Sequence, residues 1–139
     1  MAVRTYREQV QTGGDAEVLD ITPLAAAALQ RSGIKSGVIN VFVPGSTAAI
    51  TTVEYESGVI QDLRAAIERL APQSLRYEHD RKWGDGNGYS HVRAALLKPG
   101  LAVPFENASL LLGTWQQLVL IDFDNRPRMR EIIIQIQGE

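Results

Sequence analysis

Residues 101–139 read LAVPFENASLLLGTWQQLVLIDFDNRPRMREIIIQIQGE, and the fold class follows from this stretch. Branched and aromatic residues gather in four runs: Leu101–Phe105, Leu110–Leu112, Trp115–Phe123 and Met129–Gln137. Between them stand Glu106-Asn107-Ala108, Gly113 and Asp124-Asn125-Arg126-Pro127, residues that favour tight turns, so successive antiparallel strands are predicted. In the last run Ile132, Ile134 and Ile136 share one face with Arg128 and Arg130, while Ile133 shares the other with Glu131, Gln135 and Gln137. That period of two is the signature of a strand.

Upstream of this stretch the pattern is mixed. Val3–Val10 and Glu17–Ile21, separated by Gly13-Gly14, predict a first hairpin. Thr22 reads as an N-cap with Pro23 at the first helical position, and the alanine-rich Leu24–Arg31 then runs as a short helix to Gly33. Gly37–Val43, ended by Pro44-Gly45, and Ala48–Tyr55 read as the next strands. From Ser57, read as an N-cap, the residues Val59, Ile60, Leu63, Ala66, Ile67 and Leu70 recur at helical spacing until Pro72 stops the main amphipathic helix. Ser90 is expected to cap a short helix through Leu97, closed by Pro99-Gly100. Many strands with a few intervening helices imply an α+β fold, one domain over residues 1–139, with mostly antiparallel sheet or sandwich and two or three helices.

Composition narrows the function. The chain has 139 residues, enough for one core without staples, and lacks cysteine, so disulfides, thiolate metal sites and thiol nucleophiles are excluded. A net charge of −2 and the absence of a basic tract argue against nucleic acid and anionic membranes as partners. No apolar run approaches the roughly 18 residues of a membrane span, and residues 1–10 lack a signal-peptide core, so a cytoplasmic protein is expected.

The segment most suited to chemistry is Tyr77–His91, YEHDRKWGDGNGYSH, read as a glycine-rich loop that holds both histidines of the chain. Glycine lets backbone bend around a ligand, and His79, His91, Asp80 and Asp85 supply ligating or proton-transferring atoms. A metal held there would need a further protein ligand, with Asp80, Asp85 and Glu54 as the carboxylates at hand. Gly45-Ser46-Thr47, after a strand, offers backbone N–H groups and hydroxyls for a phosphate, although no lysine makes it a P-loop. Arg128 and Arg130 at the last turn are further phosphate candidates, or else members of a solvated face paired with Glu131. No acidic pair has glycosidase spacing and no serine sits in a nucleophile elbow.

With these stretches in view the chain resembles the YjbQ family, associated with secondary thiamine-phosphate synthase activity. The resemblance rests on Tyr77-Glu78-His79-Asp80, on Gly84-Asp85-Gly86-Asn87-Gly88 leading to Ser90-His91, on Leu112-Gly113-Thr114-Trp115-Gln116, and on the closing Arg128–Glu139 strand. It implies an α+β homotrimer with a three-imidazole site for a divalent metal, of which His79 and His91 are two. The family's H-T-[ST]-A segment is here Gly45-Ser46-Thr47-Ala48, and its N-E pair is Val53-Glu54, so one imidazole is missing. Three arrangements stay open: Glu54, Asp80 or Asp85 replaces the lost ligand, a phosphate-bearing ligand at Gly45–Thr47 takes its place, or no metal is held. A divalent ion, Zn, Mn or Mg, is the implied cofactor.

The resemblance implies a small-molecule enzyme that joins a hydroxymethylpyrimidine pyrophosphate to a thiazole phosphate, or that acts on another phosphorylated metabolite. His79, Asp80 and His91 would be catalytic, with His79, His91, Glu54 and Asp85 toward the metal. Gly45, Ser46, Thr47, Arg128 and Arg130 would hold phosphate, and Trp115 would pack on a ligand ring or in the core. The competing expectations are a non-catalytic protein that binds a metal or phosphorylated ligand in a degenerate three-His site, and a metal-dependent hydrolase.

Overall fold

The computed structural model describes residues 1–139. Along the chain run β1 (Ala2–Thr12), β2 (Glu17–Asp20), α1 (Thr22–Ser32), β3 (Gly37–Phe42), β4 (Ala48–Val53), α2 (Ser57–Leu70), α3 (Glu78–Trp83), α4 (Gly88–Leu97), β5 (Gly100–Glu106), β6 (Ser109–Leu110), β7 (Gln117–Asp122) and β8 (Arg128–Gly138). They form two antiparallel sheets, a five-stranded one ordered β1-β8-β3-β5-β6 and a three-stranded one ordered β2-β7-β4.

β7 explains the layering. Leu118, Val119, Leu120 and Ile121 are all fully buried, and alternate side chains of a strand leave opposite faces, so both faces of its sheet must be covered. One face packs Leu118, Leu120 and Ile50 against Ile39, Val41, Val103, Ile132, Ile134 and Ile136 of the larger sheet, with Ala25, Ala28 and Leu29 of α1 in the same core. On the other face Val119, Ile121 and Ala49 meet Ile67 of α2 and Ala94 of α4 in a second core. The small sheet is therefore the middle layer, between the large sheet and a helical layer. Burial of each such side chain contributes on the order of 1.5–3 kcal/mol, which makes β7 the element the rest is assembled around. No helix is long and apolar enough to cross a membrane.

The fold class expected from the sequence is the one observed, with several local differences. β1 and β2 do not form a hairpin: β1 pairs along its whole length with β8, whereas β2 pairs with β7 in the other sheet. The intervening Gly14, Asp15 and Ala16 all take positive φ, which carries the chain from one layer to the next. There are four helices rather than two or three, because Glu78–Trp83, read as loop, is helical. Its signals were present: Glu78 and Asp80 in the first turn, Arg81 and Lys82 in the last, and Gly84 as a left-handed cap at φ 69°.

The caps also shift. Glu56, not Ser57, caps α2, its carboxylate accepting from the backbone N–H of Gly58 at 2.9 Å and of Val59 at 2.8 Å. Thr22 lies inside α1, and its hydroxyl accepts from the Leu118 N–H at 2.9 Å, so it joins the helix to β7 instead of capping. α4 starts at Gly88, and the buried Ser90 hydroxyl is occupied by the Phe123 carbonyl and Asn87 Oδ1, both at 2.5 Å.

Candidate functional site

α3 and α4 meet at their amino-terminal halves because nothing separates them at Gly88. A Cβ on Gly88 would come within 2.6 Å of the Tyr77 Cβ, so only glycine permits the approach. The Gly88 N–H donates to Asp80 Oδ1 at 2.8 Å and pins one helix on the other. His79 of α3 and His91 of α4 then face each other, ring centroids 4.4 Å apart and planes at 34°.

Two carboxylates surround the His79 ring. Asp80 Oδ1 and Asp85 Oδ1 each lie 3.4 Å from His79 Nδ1, and one ligand atom from each of the three residues falls within 4.8 Å of the others. A separation of 3.4 Å is long for an N–H···O hydrogen bond. It matches the roughly 3.4 Å between donors that share one tetrahedral ion at about 2.1 Å, and with the third separation within 4.8 Å the residue types present fit a divalent metal. One imidazole and two carboxylates form a harder set than three imidazoles, suited to Zn, Mn or Mg. Asp85 Oδ1 also accepts from the Asn87 N–H at 3.2 Å, which holds the turn between the helices.

His91 faces the other way into a cavity of about 190 Å³ lined by Gly45, Ser46, Ala48, Ala94, Ala95 and Pro99. The candidate site is thus in two compartments, a carboxylate–imidazole cluster and a small cavity, with His91 between them.

The remaining predicted site residues divide. Thr47 is buried and already engaged: its hydroxyl donates to Asp124 Oδ2 at 2.9 Å and accepts from Arg130 Nη2 at 2.7 Å. Arg130 is buried against Asp122, Nε to Oδ2 at 2.7 Å and Nη2 to Oδ1 at 2.9 Å, and Arg128 pairs with Asp124 at 3.0 Å. Neither arginine belongs to a solvated face paired with Glu131, which pairs instead with Arg7 at 2.8 Å. Thr12 Oγ1 completes the group on Asp122 Oδ2.

Burial opposes the charge of Asp122, yet the hydrogen bonds from Arg130, Thr12 and the Asp124 N–H outweigh it and hold the carboxyl below its ordinary range. Asp124 is likewise lowered despite burial, by Thr47 and Arg128. The Asp122 hydrogen bond in turn raises Arg130. Sequence reasoning missed Asp122 and Asp124, although their alternation at the end of β7 opposite Arg128 and Arg130 was a legible signal of paired charges.

Glu54 and Trp115 are not brought to the imidazoles. They line a separate cavity of about 400 Å³ with Asp20, Tyr55, Glu56, Thr114 and Gln117. Trp115 is 74% exposed in the turn before β7, which removes the core role considered for it. Asp80 and Asp85, not Glu54, stand beside His79, because α3 carries Asp80 and the turn that follows it carries Asp85, while Glu54 leaves the far end of β4.

A two-sheet antiparallel core with α2 and α4 on the outer face of the small sheet, and an imidazole–carboxylate cluster where α3 meets α4, defines an α+β protein. The sequence pattern described as UPF0047 protein YjbQ-like matches residues 6–139, and the chain belongs to that family. A UPF0047 protein of Methanothermobacter thermautotrophicus is 37% identical over 139 residues, 100% of this chain and 95% of that protein. The UPF0047 protein YugU of Bacillus subtilis is 34% identical over 94% of this chain and 96% of its own. Among solved structures, a YbjQ-like protein of unknown function from Sulfolobus solfataricus has a TM-score of 0.89 at 30% identity, covering 99% of this chain and 100% of that one. A YjbQ/UPF0047 protein from Clostridium acetobutylicum has a TM-score of 0.87 at 31% identity, covering 95% and 99%.

Proposed function

We propose that the protein is a small-molecule enzyme of the secondary thiamine-phosphate synthase type, acting on a phosphorylated metabolite with the help of a divalent ion. The observation that carries this reading is the 4.4 Å contact between His79 and His91, which joins a metal-competent cluster to a cavity of phosphoryl size. His79, Asp80 and Asp85 would hold the ion. When bound, the ion supplies charge neutralisation for a departing phosphate or pyrophosphate. Asp80 also keeps α3 on α4 through the Gly88 N–H, so the site is preorganised before any ligand arrives. His91 makes no hydrogen bond within the chain and borders the cavity, so its imidazole is available to pass a proton to a ligand oxygen there. The homotrimeric assembly and the cytoplasmic location are part of the same proposal and rest on the family resemblance and on composition.

A second reading, a non-catalytic protein that binds the same ligand, is favoured by Gly45. Its φ of 126° belongs to glycine, so the turn is built without a side chain where the family motif carries an imidazole.

The test is elemental analysis of the purified untagged protein and of a His79→Ala variant, followed by an assay of thiamine phosphate formation from the pyrimidine pyrophosphate and thiazole phosphate. A stoichiometric divalent metal that the variant lacks, with turnover in the wild type, supports the enzyme. Full metal loading without turnover on any phosphorylated substrate favours the binding protein.

A further inference from the structure

We infer that Gly45 is the specificity-determining residue of the site: by having no side chain it lets a single phosphoryl group enter beside Ser46 and His91 and accept a hydrogen bond from Arg130 Nη1. The inference rests on the reading of this site as one that handles a phosphorylated ligand.

Arg130 supplies the first observation. Its side chain is 9% exposed, and Nε and Nη2 are both bonded, to Asp122 and Thr47, but Nη1 makes no hydrogen bond within the chain. Nη1 lies next to Gly45, which lines the cavity, so a guanidinium N–H without a partner in the chain is free to donate to a ligand oxygen held at that turn.

Gly45 supplies the second. A Cβ built on it would meet one atom within 4 Å, Arg130 Nη1 at 3.1 Å, and the backbone there, at φ 126°, strains any residue with a side chain. The missing side chain is what leaves Nη1 facing the turn.

The cavity gives the ligand's size and chemistry. At about 190 Å³ it is smaller than the roughly 300–1,000 Å³ of sites that enclose a whole small ligand, so only one end of the molecule enters. Its mouth offers the Ser46 hydroxyl, exposed and without a hydrogen bond, and the His91 imidazole. Three donors from three elements suit a tetrahedral group with three terminal oxygens better than a two-oxygen carboxylate. Arg128 and Arg130 are balanced by Asp122 and Asp124, so recognition works through hydrogen bonds more than through net charge.

Calorimetric titration of the full chain with inorganic phosphate and, separately, with acetate tests the inference on the wild type and on Gly45→Ala, Ser46→Ala and Arg7→Ala. Expected are phosphate binding at least about tenfold tighter than acetate, a loss of about tenfold or more in Gly45→Ala, and a several-fold loss in Ser46→Ala. Arg7→Ala, which breaks an exposed pair with Glu131 and does not line the cavity, should keep phosphate affinity within about threefold. Ser46→Ala removes an exposed, unbonded hydroxyl and will fold even if Gly45→Ala does not. Equal affinity for phosphate and acetate, or wild-type phosphate affinity in Ser46→Ala together with any folded Gly45→Ala, overturns the inference. Absence of metal from a protein that still binds phosphate through Gly45 overturns the metal-assisted reading alone.

Discussion

His79 and His91 come from two helices, twelve residues apart, yet their rings lie 4.4 Å from one another at 34°. No hydrogen bond joins them. Their contact is set by Asp80, which accepts the Gly88 N–H at 2.8 Å, and by the absence of a side chain on Gly88. The geometry of the site is thus a property of helix packing, and substitutions that change the packing should change the chemistry.

Gly88→Ala tests this directly. With a Cβ 2.6 Å from the Tyr77 Cβ, the helices must separate, at a cost of about 1–3 kcal/mol typical of overpacking. Thermal denaturation should show the loss of stability. Metal affinity should fall in parallel, although no ligand has been changed; an unaltered affinity would show that the cluster forms within α3 and its following turn alone.

Asp85→Asn removes the negative charge of the carboxylate whose Oδ1 lies 3.4 Å from His79 Nδ1, at an exposed position. Affinity for Zn²⁺ or Mn²⁺, read by calorimetry, should drop by about tenfold or more, with the folded state retained. Wild-type affinity would take Asp85 out of the site.

Asp122→Asn leaves the Arg130 guanidinium buried without its bidentate partner. Loss of one member of a buried pair costs about 3–5 kcal/mol, and urea denaturation should show a destabilisation of that order. A change under about 1 kcal/mol would mean that Asp124, 3.8 Å from Arg130, takes over the pairing.

Stability should fall in acid through the same group. Burial opposes ionisation of Asp122 and Asp124, but hydrogen bonds prevail, and both folded-state pKa values lie below the ordinary 3.8. The unfolded chain therefore takes up these protons first as the pH falls. Their contribution is fully present above about pH 4–5 and is lost as the pH drops through the folded-state values. Urea midpoints should decline steeply below pH 4 in the wild type and less steeply in Asp122→Asn; parallel curves would remove Asp122 as the source.

Glu56→Ala removes the carboxylate that accepts the Gly58 and Val59 N–H groups at the start of α2. The melting temperature should fall by a few degrees, and Glu56→Asp should recover part of the loss. No change would mean that water serves the helix end equally well.

Local periodicity carried much of this molecule. The period-two run of Arg130, Ile132, Ile134 and Ile136 along one face of β8 was readable in one dimension, as were the helical spacing of α2 and the left-handed cap at Gly33, because each depends on residues a few positions apart. α3 also has its charges and its closing glycine in order, but its six residues bury no side chain and so carry no apolar helical repeat.

Other features have no local origin. β1 and β2, neighbours in the chain, enter different sheets because their partners, β8 and β7, lie about a hundred residues or more away in different layers. That His91 meets His79, and that Asp122 rather than solvent receives Arg130, follow from how α3 packs on α4 and how β7 lies against β8 across the core. A charge finds its partner by position in space. A strand or a helix is recognised by the repeat of its own backbone, which is why chain order alone specified those elements and left the site to packing.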